Sequence, residues 1–187
     1  MSSGFGQELD AVSLARARRG DRAVLEALYA RYSRACYTLA MRVLGERAAA
    51  EDVVQDVFVR VLSTIRDFRA DAPFGAWLKR MTANATIDVL RRNRRFTDED
   101  FESVLATMTD GGGGESAADA WLLLRRLPAR ARAVLVLHEL EGYTHRELAQ
   151  MFGQSESYSK SILARALKRL DGMMNEAGDR AETNDAV

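Results

Sequence analysis

Three groups of side chains in this 187-residue chain have the types and spacing to bind rather than to transform a ligand. The first is Trp77, Arg80, Asn84, Asp88 and Arg91. On a helix turning ~100° per residue they fall within ~80° of arc. An indole is a stacking platform for unpaired bases, worth ~1–3 kcal/mol per base. Arginine and asparagine add phosphate and base-edge contacts, and Arg92, Arg94 and Arg95 continue the cationic track. The second group is Ser157, Ser161, Arg165 and Lys168, on one side of a later helix, with Tyr158 and Arg169 beside them. Hydroxyls and cations outside and apolar residues inside are what a helix reading a major groove needs. The third is Glu51, Asp52, Gln55 and Asp56, an acidic helix face inside an otherwise basic stretch. An enzyme needs a convergent set of acid, base, nucleophile or metal ligands. None is visible, so no catalytic residue, metal or cofactor is expected and the chain is read as a non-enzyme. His138 and His145, seven apart, have no evident partner and read as structural or surface residues.

Helices must position these groups. Prolines occur only at Pro73 and Pro128, and three- and four-residue apolar spacing recurs along the chain, so the fold class is all-α. From Asp21, an N-cap, the stripe Leu25, Tyr29, Tyr32, Cys36, Leu39 and Val43 runs to a stop at Gly45. Between Glu51 and Ile65 the apolar set is Val53, Val54, Val57, Phe58, Val61, Leu62 and Ile65. A third helix is predicted from about Pro73 to about Arg94. It carries two apolar faces, Leu78, Ala85 and Val89 against Ala83, Ile87 and Leu90, which clamp the Trp77–Arg91 stripe between them.

Helices at Ala120–Leu127 and Ala129–Leu140 follow, then Gly142 and two more. Thr144 and Glu147 have capping-box spacing. Leu148, Ala149 and Phe152 give an apolar face, Gly153 permits a tight turn, and Ser155 is a cap for the last helix. Leu163, Ala166, Leu167 and Leu170 are its expected inner side. The pattern is a helix-turn-helix. The single cysteine, Cys36, excludes an internal disulfide framework and a Cys-based zinc site, and its place on an apolar stripe reads as a buried thiol. The absence of a ~20-residue apolar run predicts no membrane span. The N-terminal residues lack a basic, then apolar, signal pattern, so a cytoplasmic location is expected.

A net charge of zero weighs against nucleic acid until it is divided. Residues 10–95 carry +7 and residues 120–173 carry +4. Residues 96–119 carry −7, with four consecutive glycines, and residues 174–187 carry −3. Two basic blocks are thus separated by an acidic segment and followed by an acidic tail. Twenty-four of the 27 cations are arginine, which suits phosphate binding.

The residues now described resemble a known family. Ala50-Glu51-Asp52-Val53-Val54-Gln55-Asp56-Val57-Phe58 is similar to the core-polymerase-binding segment of bacterial RNA polymerase sigma factors. Phe74, Trp77, Leu78, Ala83, Asp88, Arg91 and Arg92 resemble, in type and spacing, the segment that melts DNA and reads the downstream promoter element. Leu127, Pro128 and Arg132, followed by Glu141-Gly142-Tyr143-Thr144 and Glu147-Leu148-Ala149, resemble the domain that reads the upstream element. Two domains with a short link match the compact extracytoplasmic-function (ECF) group.

The resemblance implies a sigma region 2-like helical bundle at 1–95, a flexible acidic linker at 96–119, a sigma region 4-like helix-turn-helix domain at 120–173 and a disordered acidic tail at 174–187. It implies core RNA polymerase and promoter DNA as partners, with an anti-sigma factor as a further partner of many ECF members. Glu51, Asp52, Gln55 and Asp56 would dock on polymerase. Trp77, Arg80, Asn84, Asp88, Arg91 and Arg92 would handle the opened minus-ten strand, and the loop 67–72, with Phe68, Arg69 and Asp71, would hold a flipped base. Ser157, Tyr158, Ser161 and Arg165 would meet the minus-thirty-five element, with Arg146 and Lys160 on phosphates. Two positions depart from the family pattern. Ser159 stands where a buried valine is usual, which predicts softer packing, and Ile162 stands where an arginine is usual, which predicts one lost DNA cation. The acidic linker is expected to run along basic polymerase surface or to mimic nucleic acid in the exit path. The alternative reading is a stand-alone helix-turn-helix regulator.

Overall fold

Capping chemistry sets most helix boundaries in the structure, a computed structural model that describes residues 4–92 and 117–184, with side chains at 4–92 and 121–175. Asp10 accepts from the Ser13 N–H at 2.8 Å and starts α1 (Ala11–Arg18). Asp21 accepts from the Ala23 and Val24 N–H groups and starts α2 (Arg22–Leu44). Gly45 ends α2 in the left-handed region, φ 74°, where a side chain would be strained. Then come α3 (Arg47–Thr64), a 3-10 turn (Ile65–Asp67), and α4 (Phe74–Arg92), whose first turn follows Pro73 as expected. The later helices are α5 (Ala117–Arg126), α6 (Ala129–Leu135), α7 (His145–Phe152) and α8 (Glu156–Asn184). Every regular element among the described residues is helical. Most of the expected linker, 96–119, and the cations Arg94 and Arg95 lie outside the described residues. The contacts divide the chain into two units, 1–89 and 90–187.

In the first unit α2 lies along α3, and α1 packs on α2 and on the 3-10 turn. The core is continuous through Leu28, Tyr32, Cys36, Leu39 and Val43 of α2, Val53, Val57 and Val61 of α3, and Leu78 and Ile87 of α4. Cys36 is buried as expected, and burial pushes its thiol up to about 11, so it stays protonated. Thr82, equally buried, donates to the Leu78 carbonyl at 2.9 Å and lies 3.3 Å from Cys36 Sγ. The inner stripe differs from expectation at two places. Val24 and Leu28, not Leu25 and Tyr29, face the core at the start of α2, and Leu62 is 55% exposed. Three- and four-residue spacing leaves two adjacent rows open, and the way α2 lies on α3 chooses one. The N-terminal segment is drawn in as well: Phe5 is buried, and the Tyr32 hydroxyl donates to the Gln7 carbonyl at 2.5 Å.

In the second unit α6 and α7 pack on α8. The expected helix 129–140 is α6 followed by a wider π turn, Val136–Leu140. Arg132 is buried and donates to the Arg125 and Leu127 carbonyls at 3.2 and 3.3 Å, which satisfies acceptors at the end of α5. The capping box forms: Thr144 Oγ1 accepts from Glu147 N and Glu147 accepts from Thr144 N. Gly153, φ 64°, makes the turn and Ser155 caps α8 by accepting from Tyr158 N at 3.1 Å. One expectation is corrected. The inner side of α8 is Ser159, Ile162, Leu163, Ala166 and Met173, while Leu167 is 44% exposed. α8 itself continues to Asn184, because adding a residue to an existing helix is far easier than starting one.

Candidate nucleic-acid interface

α4 presents the stripe expected of it. Arg80, Asn84, Arg91 and Arg92 are exposed, and Asp88 is half-buried. Beneath them Leu78, Thr82, Ala83, Ala85, Thr86, Ile87 and Leu90 are all buried. The helix is therefore held along more than one face, and the stripe needs little ordering before it meets a ligand. Trp77 is half-buried. Its ring centroid lies 4.9 Å from Phe68 and 5.5 Å from Phe74, and Phe74 lies 5.4 Å from Tyr32. One side of the indole is thus packed on an aromatic cluster, and the remainder is open.

The loop after the 3-10 turn meets this cluster. Arg69 and Asp71 are exposed, but Phe68 is 8% exposed, so its ring is the floor of the loop. Ala70 has φ 62°, the one left-handed residue other than glycine among the described residues. That conformation costs roughly 1–2 kcal/mol for an L-residue, and such strain is held where surrounding structure determines it. No feature of the sequence marks Ala70 for it.

On α3, Glu51, Asp52, Gln55 and Asp56 are all exposed. Arg47 donates to Glu51 at 2.8 Å, a four-residue helical pair that raises the arginine's pKa and offsets part of the acidic charge. The face does not end there. Val59 and Leu62 continue it at 65% and 55% exposure. Beside it an open groove of ≈ 420 Å³ is lined by Tyr29, Ser33, Arg34, Tyr37, Glu51, Val54 and Gln55. The sequence reading missed this α2 contribution because it placed Tyr29 in the core.

The outer face of α8 is more engaged with its own unit. Ser157, Lys160 and Ser161, with Arg146 of α7, are exposed. Arg165 folds back onto Ser161, donating to its hydroxyl at 3.2 Å. Tyr158 is half-buried, with the buried Arg130 guanidinium 4.5 Å from its ring centroid. Ile162 is fully buried, so this side chain belongs to the core and does not mark a gap in the DNA-facing row. Ser159 is 2% exposed and its hydroxyl lies 3.0 Å from His145 Nδ1. His145 in turn stacks on His138, ring centroids 4.3 Å apart at 22°, and His138 Nδ1 is 2.7 Å from the Tyr143 carbonyl. The two histidines are partners that the π turn and Gly142 bring together. Burial, then the His138 and Lys160 charges, hold the His145 pKa below its ordinary value, against a weaker pull from Glu156 and Glu139.

Among the described residues no group of three or more His, Cys, Asp and Glu side chains could hold a metal ion. None of their helices is long and apolar enough to cross a membrane.

Comparison with known proteins agrees with this geometry. Residues 28–96 match Sigma-70 region 2, and residues 118–170 match Sigma-70 region 4. Over 178 residues the chain is 33% identical to the ECF RNA polymerase sigma factor SigM of Mycobacterium tuberculosis, covering 92% of this chain and 91% of that protein. It is 25% identical to the ECF RNA polymerase sigma-E factor of Escherichia coli, over 88% of this chain and 94% of that one. The solved structure of CnrH in complex with the cytosolic domain of CnrY aligns with a TM-score of 0.53 at 27% identity, covering 88% of this chain and 96% of that one. With both halves matched in order and nearly the whole length shared, the chain belongs to the ECF RNA polymerase sigma factors, alternative sigma subunits that direct RNA polymerase to promoters.

Proposed function

We propose that the chain performs this role through three surfaces, each built on a different helix. The observation that carries the proposal is α4: a half-buried Trp77 and the exposed Arg80, Asn84, Arg91 and Arg92 on a helix whose other faces are buried. Such a helix can stack an unpaired base and contact its phosphates with little reordering, which supports a role on the opened minus-ten strand with Asp88 alongside. Arg69 and Asp71 border the site of a flipped base, and Phe68 supports it from below.

Glu51, Asp52, Gln55 and Asp56 dock on core polymerase. Their exposure supports this, as does the run of Val59 and Leu62 beside them, since an interface core is more apolar than its rim. Ser157, Ser161 and Arg165 meet the minus-thirty-five element, with Arg146 and Lys160 on phosphates and Tyr158 at the edge. None of these grips need be strong alone, because linked modules raise one another's effective concentration. The chain contributes binding rather than catalysis, and acts where polymerase is, in the cytoplasm. A protein antagonist such as an anti-sigma factor is a further proposed partner, supported by the relative CnrH having been solved with the cytosolic domain of CnrY.

Run-off transcription with purified core polymerase and genomic fragments tests the whole reading. Specific transcripts that require the chain are the expected result. A chain that fails to associate with core polymerase in a pull-down without DNA, and yields no transcript, overturns it.

A further inference from the structure

The segment from Phe68 to Pro73 joins the 3-10 turn to α4, whose first turn includes Gly75, and contains Arg69, the left-handed Ala70 and Asp71. Both of its ends are held by the first eighteen residues of the chain. At the start, Arg18, in the last turn of α1, donates through Nη2 to the Phe68 carbonyl. Its guanidinium carbon also lies 6.0 Å from the centroid of the Phe68 ring. At the far end, a Cβ on Gly75 would come 1.9 Å from the Phe5 carbonyl oxygen, so the N-terminal backbone lies directly on the first turn of α4.

The stretch between these two pins is itself fastened. Phe5 is 6% exposed, Tyr32 donates to the Gln7 carbonyl at 2.5 Å, and Arg31 donates to the Glu8 carbonyl at 3.3 Å. Asp10 then caps α1, and the following turn is tied by Arg16 to Asp21 at 2.8 Å. A loop that contains a left-handed alanine would leave that shape readily if its ends were free. Holding both ends keeps it there.

We propose that residues 5–18 form a positioning bracket for the loop Arg69–Asp71, with Arg18 and the Phe5–Gly75 contact as its two pins, which sets the loop in the shape that receives an unpaired promoter base. The proposal rests on the reading above that this loop meets the opened strand. Arg18 touches no base; it acts through the loop. When a pin is lost, the competent shape becomes one among several, and apparent affinity falls by the fraction that is no longer competent.

The test uses the full chain assembled with core RNA polymerase. Forked DNA fragments with randomised unpaired non-template bases are bound, and the bound pool is sequenced. The wild-type chain enriches particular bases at several unpaired positions. Arg18→Ala loses about tenfold of the enrichment at the one position held by the loop, about 1.4 kcal/mol of discrimination. Preference elsewhere in the strand, and assembly with core polymerase, stay as in wild type. Arg18→Lys, which keeps a donor for the carbonyl, recovers part of the loss. Gly75→Ala, which drives the Phe5 backbone off α4, gives the same position-specific loss. Enrichment by Arg18→Ala equal to wild type at every position overturns the bracket and leaves the reading of the loop standing. A loss spread over all positions, together with weaker assembly with core polymerase, also overturns it, since that is the mark of a general folding role. No enrichment by the wild-type chain at any unpaired position overturns the reading of the loop and the bracket with it.

Discussion

The two helices proposed to face DNA, α4 and α8, are supported in opposite ways. α4 stands on an apolar bed in which the polar members, Thr82 and Thr86, bond to the carbonyls of their own helix. Above it, Arg80 and Asn84 of the stripe are exposed. α8 stands on a bed that includes a polar chain, Ser159 to His145 to His138, and its outer residues are partly occupied: Arg165 with Ser161, Tyr158 with Arg130. An apolar bed presents a site with little dependence on solution conditions. A bed containing His145, whose pKa is held below its ordinary value, makes the stability of the unit depend on pH. Under the proposed roles, the difference would suit a melting helix that must be rigid and a duplex-reading helix that adjusts to its groove.

Ile162 gives the sharpest way to break this comparison. If α8 is oriented as the structure has it, Ile162→Arg buries a charge without a partner and destabilises the second unit by about 3–5 kcal/mol. Urea unfolding measures it. A variant that stays folded and gains affinity for upstream promoter DNA would show that position 162 faces the groove after all.

Next in size is Trp77→Ala. Loss of one stacked base should lower promoter opening by about tenfold or more, for ~1–3 kcal/mol of stacking. Permanganate footprinting on a cognate promoter reads this, with polymerase association unchanged. Unaltered opening would assign Trp77 to packing alone.

The histidine chain predicts a smaller, pH-dependent effect. The folded His145 pKa lies below the ordinary 6.5, so the unfolded chain takes up this proton first as pH falls. The stabilisation is therefore complete above about pH 6.5 and is lost progressively below it. The wild-type melting temperature should drop between neutral and mildly acidic pH, and His145→Gln should flatten part of that slope. Equal slopes for the two proteins would remove the histidines from the argument.

The smallest effect is expected on α3. Glu51→Gln breaks an exposed helical pair with Arg47, so thermal stability should hardly change. Association with core polymerase should weaken, and weaken further when Asp52 and Asp56 are also neutralised. A pull-down series against salt concentration measures this, because screening acts most on exposed charges.

Much of the architecture was legible in the residues. Asp21, Gly45, Pro73, Thr144 with Glu147, and Gly153 each do a local job that depends on their own chemistry: capping, a left-handed turn, a fixed φ. Local chemistry of that kind survives without knowledge of the fold. The α4 stripe was legible for a related reason, since it is flanked by two apolar faces and only one arc remains for solvent.

What the sequence left open is everything that depends on which of two adjacent helical rows turns inward. Leu25 against Val24 and Tyr29 against Leu28 are each one residue apart, and on α8 Leu167 and Ile162 stand at the two edges of the apolar stripe, so periodicity alone fits either choice. The crossing of α2 with α3 and the seat of α8 on α6 and α7 decided them. The Phe68–Trp77–Phe74 cluster, the pairing of two histidines across a turn, and Arg18 reaching a carbonyl fifty residues away belong to the same class. The order of motifs along the chain determined what the protein is. Only contacts between residues far apart in sequence, which no local pattern encodes, decided which side chains its candidate binding surfaces hold in place and which they expose.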